Sequence, residues 1–360
     1  MAPVITALKR TSGVSSVICF TGQHRAMAQS VMDVFGIVPD IDLNVMKPGQ
    51  TLEGLTADLM TSLQPVLEEH RPDMVLVQGD TTTAMVGALA AFYRQIPVGH
   101  VEAGLRTWNM QQPWPEEANR RIIGLIAQRH YTPTRLATEN LLREGVSRSD
   151  ILETGNPVVD ALHFVRERLH ADEALRNKMA GLFHWINPDK RIVLVTGHRR
   201  ESFGRSFEQI CFAIREIASS TDVEVVYPVH LNPNVRDPVN RILGSEPNVR
   251  LLEPLAYSEF IYLMDKCQLI LTDSGGIQEE APSFGKPVLI MRETSERQEA
   301  VEAGVARLVG TDPGRIVAEA RQLLFDRAAY SAMSRVQNPF GDGTAAIKIA
   351  EDISRNASNS

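Results

Sequence analysis

The 360 residues of the chain correspond to about two domains, enough to bury substantial cores without a disulfide or a metal. Lysine and arginine number 37 against 44 for aspartate and glutamate, so the formal net charge of −7 disfavours nucleic acid and anionic membranes as partners. A hydrophobic share of 43% and a charged share of 22% exclude the low-complexity and collagen-like classes.

Short β-branched runs alternate with longer helical patterns along nearly the whole chain. This alternation, with strands that are apolar on both faces, predicts an α/β fold with parallel sheets. The predicted strands are 16–20, 74–78, 97–101, 129–131, 151–153, 192–196, 223–228, 249–252, 269–272, 288–291 and 307–309. Helical patterns between them include 82–93, 116–128 and 207–217.

The strand pattern occurs on both sides of a charge-rich helical stretch at 158–190, which predicts two doubly wound, Rossmann-like domains at 1–160 and 161–340. The chain opens in a helix-like segment, where such a domain normally begins with a strand. The first domain is therefore predicted to lack its leading strand. Residues 341–360 contain one further helical run and a polar tail.

Cysteine and histidine spacing gives no support for a metal or a disulfide framework. Cys19, Cys211 and Cys267 are far apart, which fits free thiols in a reducing cytosol. The histidines form no HExxH motif, and no apolar run approaches the ~18 residues of a membrane helix. We therefore expect a cytoplasmic protein without a metal or a membrane partner.

Polar residues directly after buried strands are the first candidates for function, because open parallel sheets bind ligands beyond the carboxyl ends of their strands. Asp80 and Glu102 follow neighbouring predicted strands and should share one rim. The alternatives are a helix cap formed by Asp80 or by one of the threonines after it, and a surface ion pair with Arg106 for Glu102. Glu116 opens a helix after Pro-Trp-Pro, where acidic residues are also favoured by the helix dipole alone.

The second half contains groups suited to an anion. His198 and Arg200 follow the strand at 192–196, and both side-chain types donate to phosphate oxygens. His230 ends the next strand and is either a second imidazole for that site or a satisfied buried histidine. No GxxxxGK[ST] loop is present, so ATP chemistry is disfavoured.

The most specific element is the strand at 269–272 followed by a helix that begins at Gly275 and Gly276. Without Cβ atoms, these glycines let backbone N–H groups approach a phosphate closely at the positive end of the helix dipole. Glu280 lies about one turn further on, where its carboxylate can accept both hydroxyls of a ribose. A simple glycine turn with an acidic first helical turn is the alternative.

Six segments resemble the non-hydrolysing bacterial UDP-N-acetylglucosamine 2-epimerase family, in the family's order. They are Asp-Thr-Thr-Thr at 80–83, His-Val-Glu-Ala-Gly-Leu-Arg-Thr at 100–107, Pro-Trp-Pro-Glu-Glu-Ala-Asn-Arg at 113–120, Thr-Gly-His-Arg-Arg-Glu-Ser-Phe-Gly at 196–204, Tyr-Pro-Val-His-Leu-Asn-Pro-Asn-Val at 227–235 and Asp-Ser-Gly-Gly-Ile-Gln-Glu-Glu-Ala-Pro-Ser at 273–283.

The resemblance implies a GT-B architecture: two Rossmann-like domains face each other across a cleft, and the C-terminal helix 341–360 crosses back to the first domain. It implies C2 epimerisation of UDP-N-acetylglucosamine to UDP-N-acetylmannosamine through 2-acetamidoglucal, without a nicotinamide or metal cofactor. It also implies a cytoplasmic homodimer whose product supplies surface polysaccharide.

The resemblance also assigns roles to residues. Catalytic roles fall to Asp80, Glu102, Glu116 and His198, and substrate binding falls to Phe260, Ser274, Gly275, Gly276, Glu280 and Arg297. A possible allosteric site, as in many bacterial members, would use Gln23, His24, Arg25, Arg200 and His230.

Departures from the family pattern keep two other functions open. A leading strand with Gly-Thr-Arg-Pro-Glu and a lysine has no counterpart, Leu255 replaces a glutamine near the uracil, and Asp58 stands where an arginine is common. A UDP-sugar glycosyltransferase of the same architecture would use the same nucleotide elements. A truncated, non-catalytic UDP-sugar-binding protein would bind UDP without turnover.

Overall fold

The computed structural model describes residues 1–23, 25–197, 199, 203–295 and 297–357. The chain divides into two compact units, one formed by Met1–Ala161 with Phe340–Ser360 and the other by Leu162–Pro339. In each unit parallel strands alternate with helices, so the predicted α/β class of two Rossmann-like units is confirmed.

The first unit alternates strands and helices along the chain. They are α1 (Ala2–Arg10), β1 (Cys19–Phe20), α2 (Arg25–Phe35), β2 (Ile41–Asp42), α3 (Leu52–His70), β3 (Val75–Gln78), α4 (Thr82–Phe92), β4 (Val98–Val101), α5 (Glu116–Ile126), β5 (Arg129–Thr132), α6 (Arg135–Arg143), β6 (Ile151–Glu153), α7 (Pro157–Ala171), which continues into the second unit, and the C-terminal α16 (Ala345–Ala357).

Two parallel sheets make up the first unit. The larger has the order β3-β4-β5-β6, and β1 pairs only with β2. Among the described residues β1 does not pair with β3. Cys19 of β1 and Val75 of β3 nevertheless pack against one apolar cluster, which contains Leu59 of α3. One layer of side chains therefore covers strands of both sheets.

The helices of this unit form for local reasons that the sequence carries. In α3, leucines at 55, 59, 63 and 67 recur every four residues and are all buried, which gives the helix one apolar face. Thr51 and Thr81 cap α3 and α4 by accepting from the backbone N–H groups of Gly54 and Ala84. The N-terminal ends of both helices are thereby fixed.

The second unit contains one six-stranded parallel sheet with helices between its strands. Its elements are α8 (Glu173–Leu182), β7 (Arg191–Thr196), α9 (Arg205–Ala218), β8 (Val223–Pro228), α10 (Pro233–Leu243), β9 (Val249–Leu252), α11 (Tyr257–Lys266), β10 (Leu269–Thr272), α12 (Gly275–Glu280), β11 (Val288–Ile290), α13 (Gln298–Glu302), β12 (Ala306–Leu308), α14 (Pro313–Phe325) and α15 (Arg327–Ser334).

The strand order of this sheet, β12-β11-β10-β7-β8-β9, reverses direction between β7 and β10. The register places Thr196 of β7 beside Thr272 of β10, so the loops that follow these strands start side by side. Ligands of open parallel sheets bind at such a reversal of strand order. The topology therefore directs attention to the loops after β7 and β10.

Each predicted strand has an observed counterpart, but the first is shorter than predicted. The predicted strand at 16–20 is reduced to Cys19–Phe20, and Ile41–Asp42 was not predicted at all. These two strands pair only with each other and are two residues long. A strand this short is not recognisable in the sequence, because strand prediction depends on an apolar run of several residues.

Candidate active site

Asp80 and Glu102 lie at the same edge of the first unit's larger sheet. Gln78, the last residue of β3, is in register with Val101, the last residue of β4, and each acidic residue follows within two positions. The Gln78 side-chain amide donates to Glu102 Oε2 at 3.2 Å. The structure therefore brings together the two carboxylates that the sequence places at one rim.

The backbone at Glu102 adopts an unusual conformation. Its φ of 63° lies in the left-handed region, which costs a residue with a Cβ atom about 1 kcal/mol or more. Gly104 follows with φ 87°, and a Cβ there would lie 2.2 Å from the carbonyl oxygen of Ala137. Close packing against α6 therefore requires glycine at 104 and fixes the turn that carries Glu102.

A helix cap directly after β3 is confirmed, but it is formed by the threonine Thr81 and not by Asp80. Arg106 is buried and donates from Nε and NH2 to the two carboxylate oxygens of Glu144, at 2.9 and 2.7 Å, so its partner is Glu144.

Glu116 and Glu117 begin α5 but have different surroundings. Glu117 is fully buried and accepts from the backbone N–H groups of Thr107 and Trp108 at 3.0 and 3.2 Å. The Oε2 atom of Glu116 is also buried, yet it has no hydrogen-bond partner within the described part of the chain. A buried carboxylate oxygen without a partner is costly and is often retained for function.

Asp80 is held by residues that sequence reasoning missed. Arg120 NH2 lies 2.7 Å from Asp80 Oδ2, and the Asn119 side-chain amide donates to the backbone carbonyl of Asp80 at 2.8 Å. Both belong to the Glu-Glu-Ala-Asn-Arg segment at 116–120, in which the sequence predicted a role for Glu116 alone. The signal that could have found them is a pair of long polar side chains one turn after the acidic start of α5.

Two buried histidines lie behind this edge of the sheet. His100 on β4 is in register with His130 on β5, and His100 Nε2 contacts the carbonyl oxygen of Gly79 at 2.8 Å. Burial lowers the pKa of His100 to about 3 and that of His130 to about 4. His100 is therefore neutral at physiological pH, with Nε2 donating to Gly79.

In the second unit, the loops after β7 and β10 are joined by short polar contacts. The Thr196 and Thr272 hydroxyls are 2.6 Å apart, and Asp273 Oδ2 accepts from the backbone N–H of Arg199 at 2.8 Å. Gly275 begins α12, and a Cβ atom at Gly276 would meet only open space. Space for a close-approaching ligand therefore exists at the start of α12, directly after Ser274.

Glu280 closes α12 as a buried carboxyl group, 6% exposed. The pKa of Glu280 is raised to about 8, mainly by burial. The hydrogen bond from the Tyr257 hydroxyl opposes this rise, and the charge of Glu279 adds to it. That hydroxyl donates to Glu280 Oε1 at 3.0 Å. Tyr257 and the half-buried Phe260 lie one turn apart on α11, so the first turn of α11 stands beside Glu280.

Arg297 is bound to the same short helix. Its Nε donates to Glu279 Oε1 at 2.6 Å, and its backbone N–H donates to the Ser295 hydroxyl at 3.0 Å. The Ser295 hydroxyl donates to Gln278, whose amide donates to the carbonyl of Ser274 at 3.1 Å. Arg297 therefore belongs to the network around α12.

The residues expected at an allosteric site have separate partners in the two units. The Thr83 hydroxyl donates to Gln23 Oε1 at 2.5 Å, while Arg25 makes two hydrogen bonds to Asp42 at 2.8 and 2.6 Å. In the second unit, His230 Nδ1 accepts from the backbone N–H of Asn232 at 3.1 Å. The expected site residues His24, His198 and Arg200 lie outside the described residues.

The described residues hold no group of three or more histidine, cysteine, aspartate or glutamate side chains able to bind a metal ion. None of the described helices is both long and apolar enough to cross a membrane.

Comparisons with known proteins agree over the whole chain. A family model described as UDP-N-acetylglucosamine 2-epimerase matches residues 6–354. The UDP-N-acetylglucosamine 2-epimerase of Escherichia coli K12 is 55% identical over 357 residues, which are 99% of this chain and 95% of that protein.

Solved structures give the same result. The crystal structure of UDP-GlcNAc 2-epimerase from Neisseria meningitidis bound to UDP-GlcNAc has a TM-score of 0.94 and 46% identity, covering 99% of this chain and 96% of that one. The enzyme from Methanocaldococcus jannaschii in complex with UDP-GlcNAc and UDP has a TM-score of 0.82 and 30% identity, covering 98% and 95%.

Proposed function

This chain belongs to the UDP-N-acetylglucosamine 2-epimerase family, and from that premise we propose that it interconverts UDP-N-acetylglucosamine and UDP-N-acetylmannosamine. The observation that carries the residue assignment is the grouping in the first unit. Asp80 and Glu102 lie at one sheet edge, and Arg120 of α5, the helix that begins with Glu116, contacts Asp80. A positioned carboxylate can act as the general base that removes a weakly acidic C2 proton.

The reaction divides into an elimination and an addition. A carboxylate takes the C2 proton, the C1–O bond to UDP breaks with its electron pair on the phosphate oxygen, and a C1–C2 double bond forms in 2-acetamidoglucal. UDP then re-adds at C1 while C2 receives a proton on the opposite face. We assign Asp80, Glu102 and Glu116 to proton transfer and sugar positioning, and His198 to the departing diphosphate, as the resemblance implies.

The second unit supplies the nucleotide site of this proposal. Backbone N–H groups at the start of α12, around Ser274, Gly275 and Gly276, suit the diphosphate because their hydrogen atoms point out of the helix end. Glu280 accepts the ribose hydroxyls, and Phe260 contacts the uracil. Arg297 acts near the nucleotide through Glu279, to which it is bound.

Exchange of the C2 hydrogen tests the proposal directly. In D₂O the protein should convert UDP-N-acetylglucosamine to its 2-epimer, with deuterium at C2 of the product in NMR spectra. Product formed without deuterium would contradict the proton-transfer step. Transfer of the sugar to an acceptor, with no epimer formed, would instead support a glycosyltransferase, and binding of UDP without turnover a non-catalytic protein.

We also propose that the protein is a homodimer that acts in the cytosol. Its three cysteines are free thiols, which suits a reducing compartment. The adjacent helices α4 and α5 end in exposed apolar side chains, with Tyr93 67% and Leu125 86% exposed.

As for the product, we propose that it supplies surface polysaccharide.

Light scattering after size exclusion tests the dimer. The protein should elute with twice the mass of one chain, and Leu125→Glu should shift it to the mass of one chain, because a charge would replace an exposed apolar side chain of the proposed interface. Lys178→Glu, a charge change on α8 of the other unit, serves as the control. A native mass equal to one chain would contradict the dimer.

A further inference from the structure

The turn that carries Asp80 is fixed by three buried side chains from two elements. His100 of β4 donates to the carbonyl of Gly79, and Asn119 of α5 donates to the carbonyl of Asp80. Arg120 of α5 contacts the Asp80 carboxylate itself, with its NH2 2.7 Å from Oδ2. His100, Asn119 and Arg120 are each at most 5% exposed. One carboxylate oxygen is thus oriented by the guanidinium group.

Arg120 also connects this turn to the loop that follows Glu102. Its NH1 donates to Glu117 Oε2 at 3.0 Å, and the Glu117 carboxylate accepts from the backbone N–H groups of Thr107 and Trp108. Two nitrogen atoms of one guanidinium group therefore bind two different carboxylates. A planar fork with fixed donor directions suits this task, and an ammonium group does not reproduce it.

The acidic side chains near Arg120 each form an ion pair with an arginine. Asp80 and Glu117 face it directly, while Arg106 is bound to Glu144. Arg121, the next residue on α5, lies 3.7 Å from both Glu117 and Glu144 and is 38% exposed. Of the two adjacent arginines, Arg120 is the one whose ion pair with Asp80 is present in the structure.

We propose that Arg120 is a positioning residue of the reaction: its guanidinium group, braced by Glu117, holds the Asp80 carboxylate in the orientation that proton transfer at C2 requires. This inference rests on the proposed function. Arg120 acts through Asp80, because its NH1 and NH2 atoms are already bound to carboxylates of the protein. Misplacement of a reacting group by about 1 Å can lower a rate about 100-fold, so the effect should appear in kcat.

Steady-state epimerisation by Arg120→Gln and Arg121→Gln tests the proposal as a matched pair. Each variant removes one positive charge, and the two changes are at adjacent positions of α5. Arg120→Gln should lower kcat about 100-fold, while the dissociation constant of UDP, measured by calorimetry, changes less than about threefold because the proposed nucleotide residues lie in the other unit. Arg121→Gln should retain kcat within about threefold of the unmodified protein.

Two further variants keep the test decisive if Arg120→Gln fails to fold. Arg120→Lys retains the charge but not the fork, and it should lose about tenfold in kcat. Arg120→Ala should recover activity on addition of millimolar guanidinium but not ammonium, a response that a purely structural role would not give.

Three results would overturn the inference: equal losses in Arg120→Gln and Arg121→Gln, full kcat in Arg120→Lys, or no rescue by guanidinium. Failure of the unmodified protein to epimerise would instead refute the proposed function. The two failures are therefore distinguishable.

Discussion

Replacing Glu116 with glutamine should lower kcat for epimerisation about 1,000-fold and leave the stability of the protein unchanged or higher. Proton transfer by a positioned side chain contributes about 10²–10⁴ to a rate, and an amide cannot perform it. The stability expectation follows from the buried Oε2 atom, which has no hydrogen-bond partner in the described structure. Exchanging an unsatisfied carboxylate for a neutral amide removes a desolvation penalty.

Glu117→Gln is the matched control, one position further along the same helix. The Glu117 carboxylate accepts from Thr107, Trp108 and Arg120, so an amide would turn an N–H donor toward groups that also donate. We expect a loss of about 2 kcal/mol in the free energy of unfolding, visible as a fall of several degrees in the thermal midpoint. Glu116→Gln should not show this fall.

Thermal unfolding and steady-state kinetics on both variants distinguish the two glutamates. A Glu116→Gln variant that keeps kcat within tenfold of the unmodified protein would remove Glu116 from the proton-transfer groups. A Glu116→Gln variant as destabilised as Glu117→Gln would show that its carboxylate is structural.

Replacing Glu280 with glutamine should weaken UDP binding about 100-fold. In the proposed site the carboxylate accepts hydrogen bonds from two ribose hydroxyls, and charge-assisted hydrogen bonds contribute about 1.5–3 kcal/mol each. Calorimetric titration with UDP measures the loss. Glu259→Gln, in the first turn of α11, is a suitable control, since its side chain accepts from the backbone N–H of Ala256 and not from Glu280 or Tyr257. An unchanged dissociation constant in Glu280→Gln would contradict the ribose assignment.

The same residue should make UDP binding depend on pH. Burial raises the pKa of Glu280 to about 8, so in the unbound protein the group is protonated below that pH. If the ribose hydroxyls bind the ionised form, affinity should rise about tenfold from pH 7 to pH 9, a range in which the phosphates of UDP are already ionised. Glu280→Gln should abolish the slope. Tyr257→Phe should move the midpoint upward, because the Tyr257 hydroxyl lowers this pKa. A flat profile for the unmodified protein would contradict the assignment.

The raised pKa also fixes the sign of a stability change. An unfolded glutamate ionises near its ordinary pKa of 4.5, whereas the folded Glu280 holds its proton to about pH 8. The folded state therefore binds more protons between these values, and the free energy of unfolding should fall as pH rises through this range. Glu280→Gln should lose this part of the pH dependence and unfold at a higher temperature than the unmodified protein at pH 8.

The sequence could predict the edge that carries Asp80 and Glu102 because it depends on local pattern. A buried parallel strand is recognisable from its apolar run, and the residue after it must lie at the carboxyl edge of the sheet. The observed register of Gln78 with Val101 follows from that rule. The same logic located Gly275 after β10, where a strand passes directly into a helix.

The supporting residues could not be found in this way. Glu116 and Glu117 are adjacent and chemically equivalent in the sequence, yet one binds a loop and the other has an unpartnered oxygen. Arg120 and Arg121 are likewise adjacent and chemically equivalent, yet Arg120 is the one that is bound to Asp80. The difference arises from the side of α5 on which each residue lies and from what packs against that side.

By itself the amino-acid sequence determined the α/β class, the alternation of elements in each half and the positions of acidic and glycine residues at strand ends, because these depend on apolar periodicity over short stretches of chain. Only the tertiary structure decided which carboxylate has a partner, which arginine holds Asp80 and how far burial raises the pKa of Glu280. Those properties depend on contacts between residues distant in the chain and on the exclusion of water around them, which no local pattern encodes.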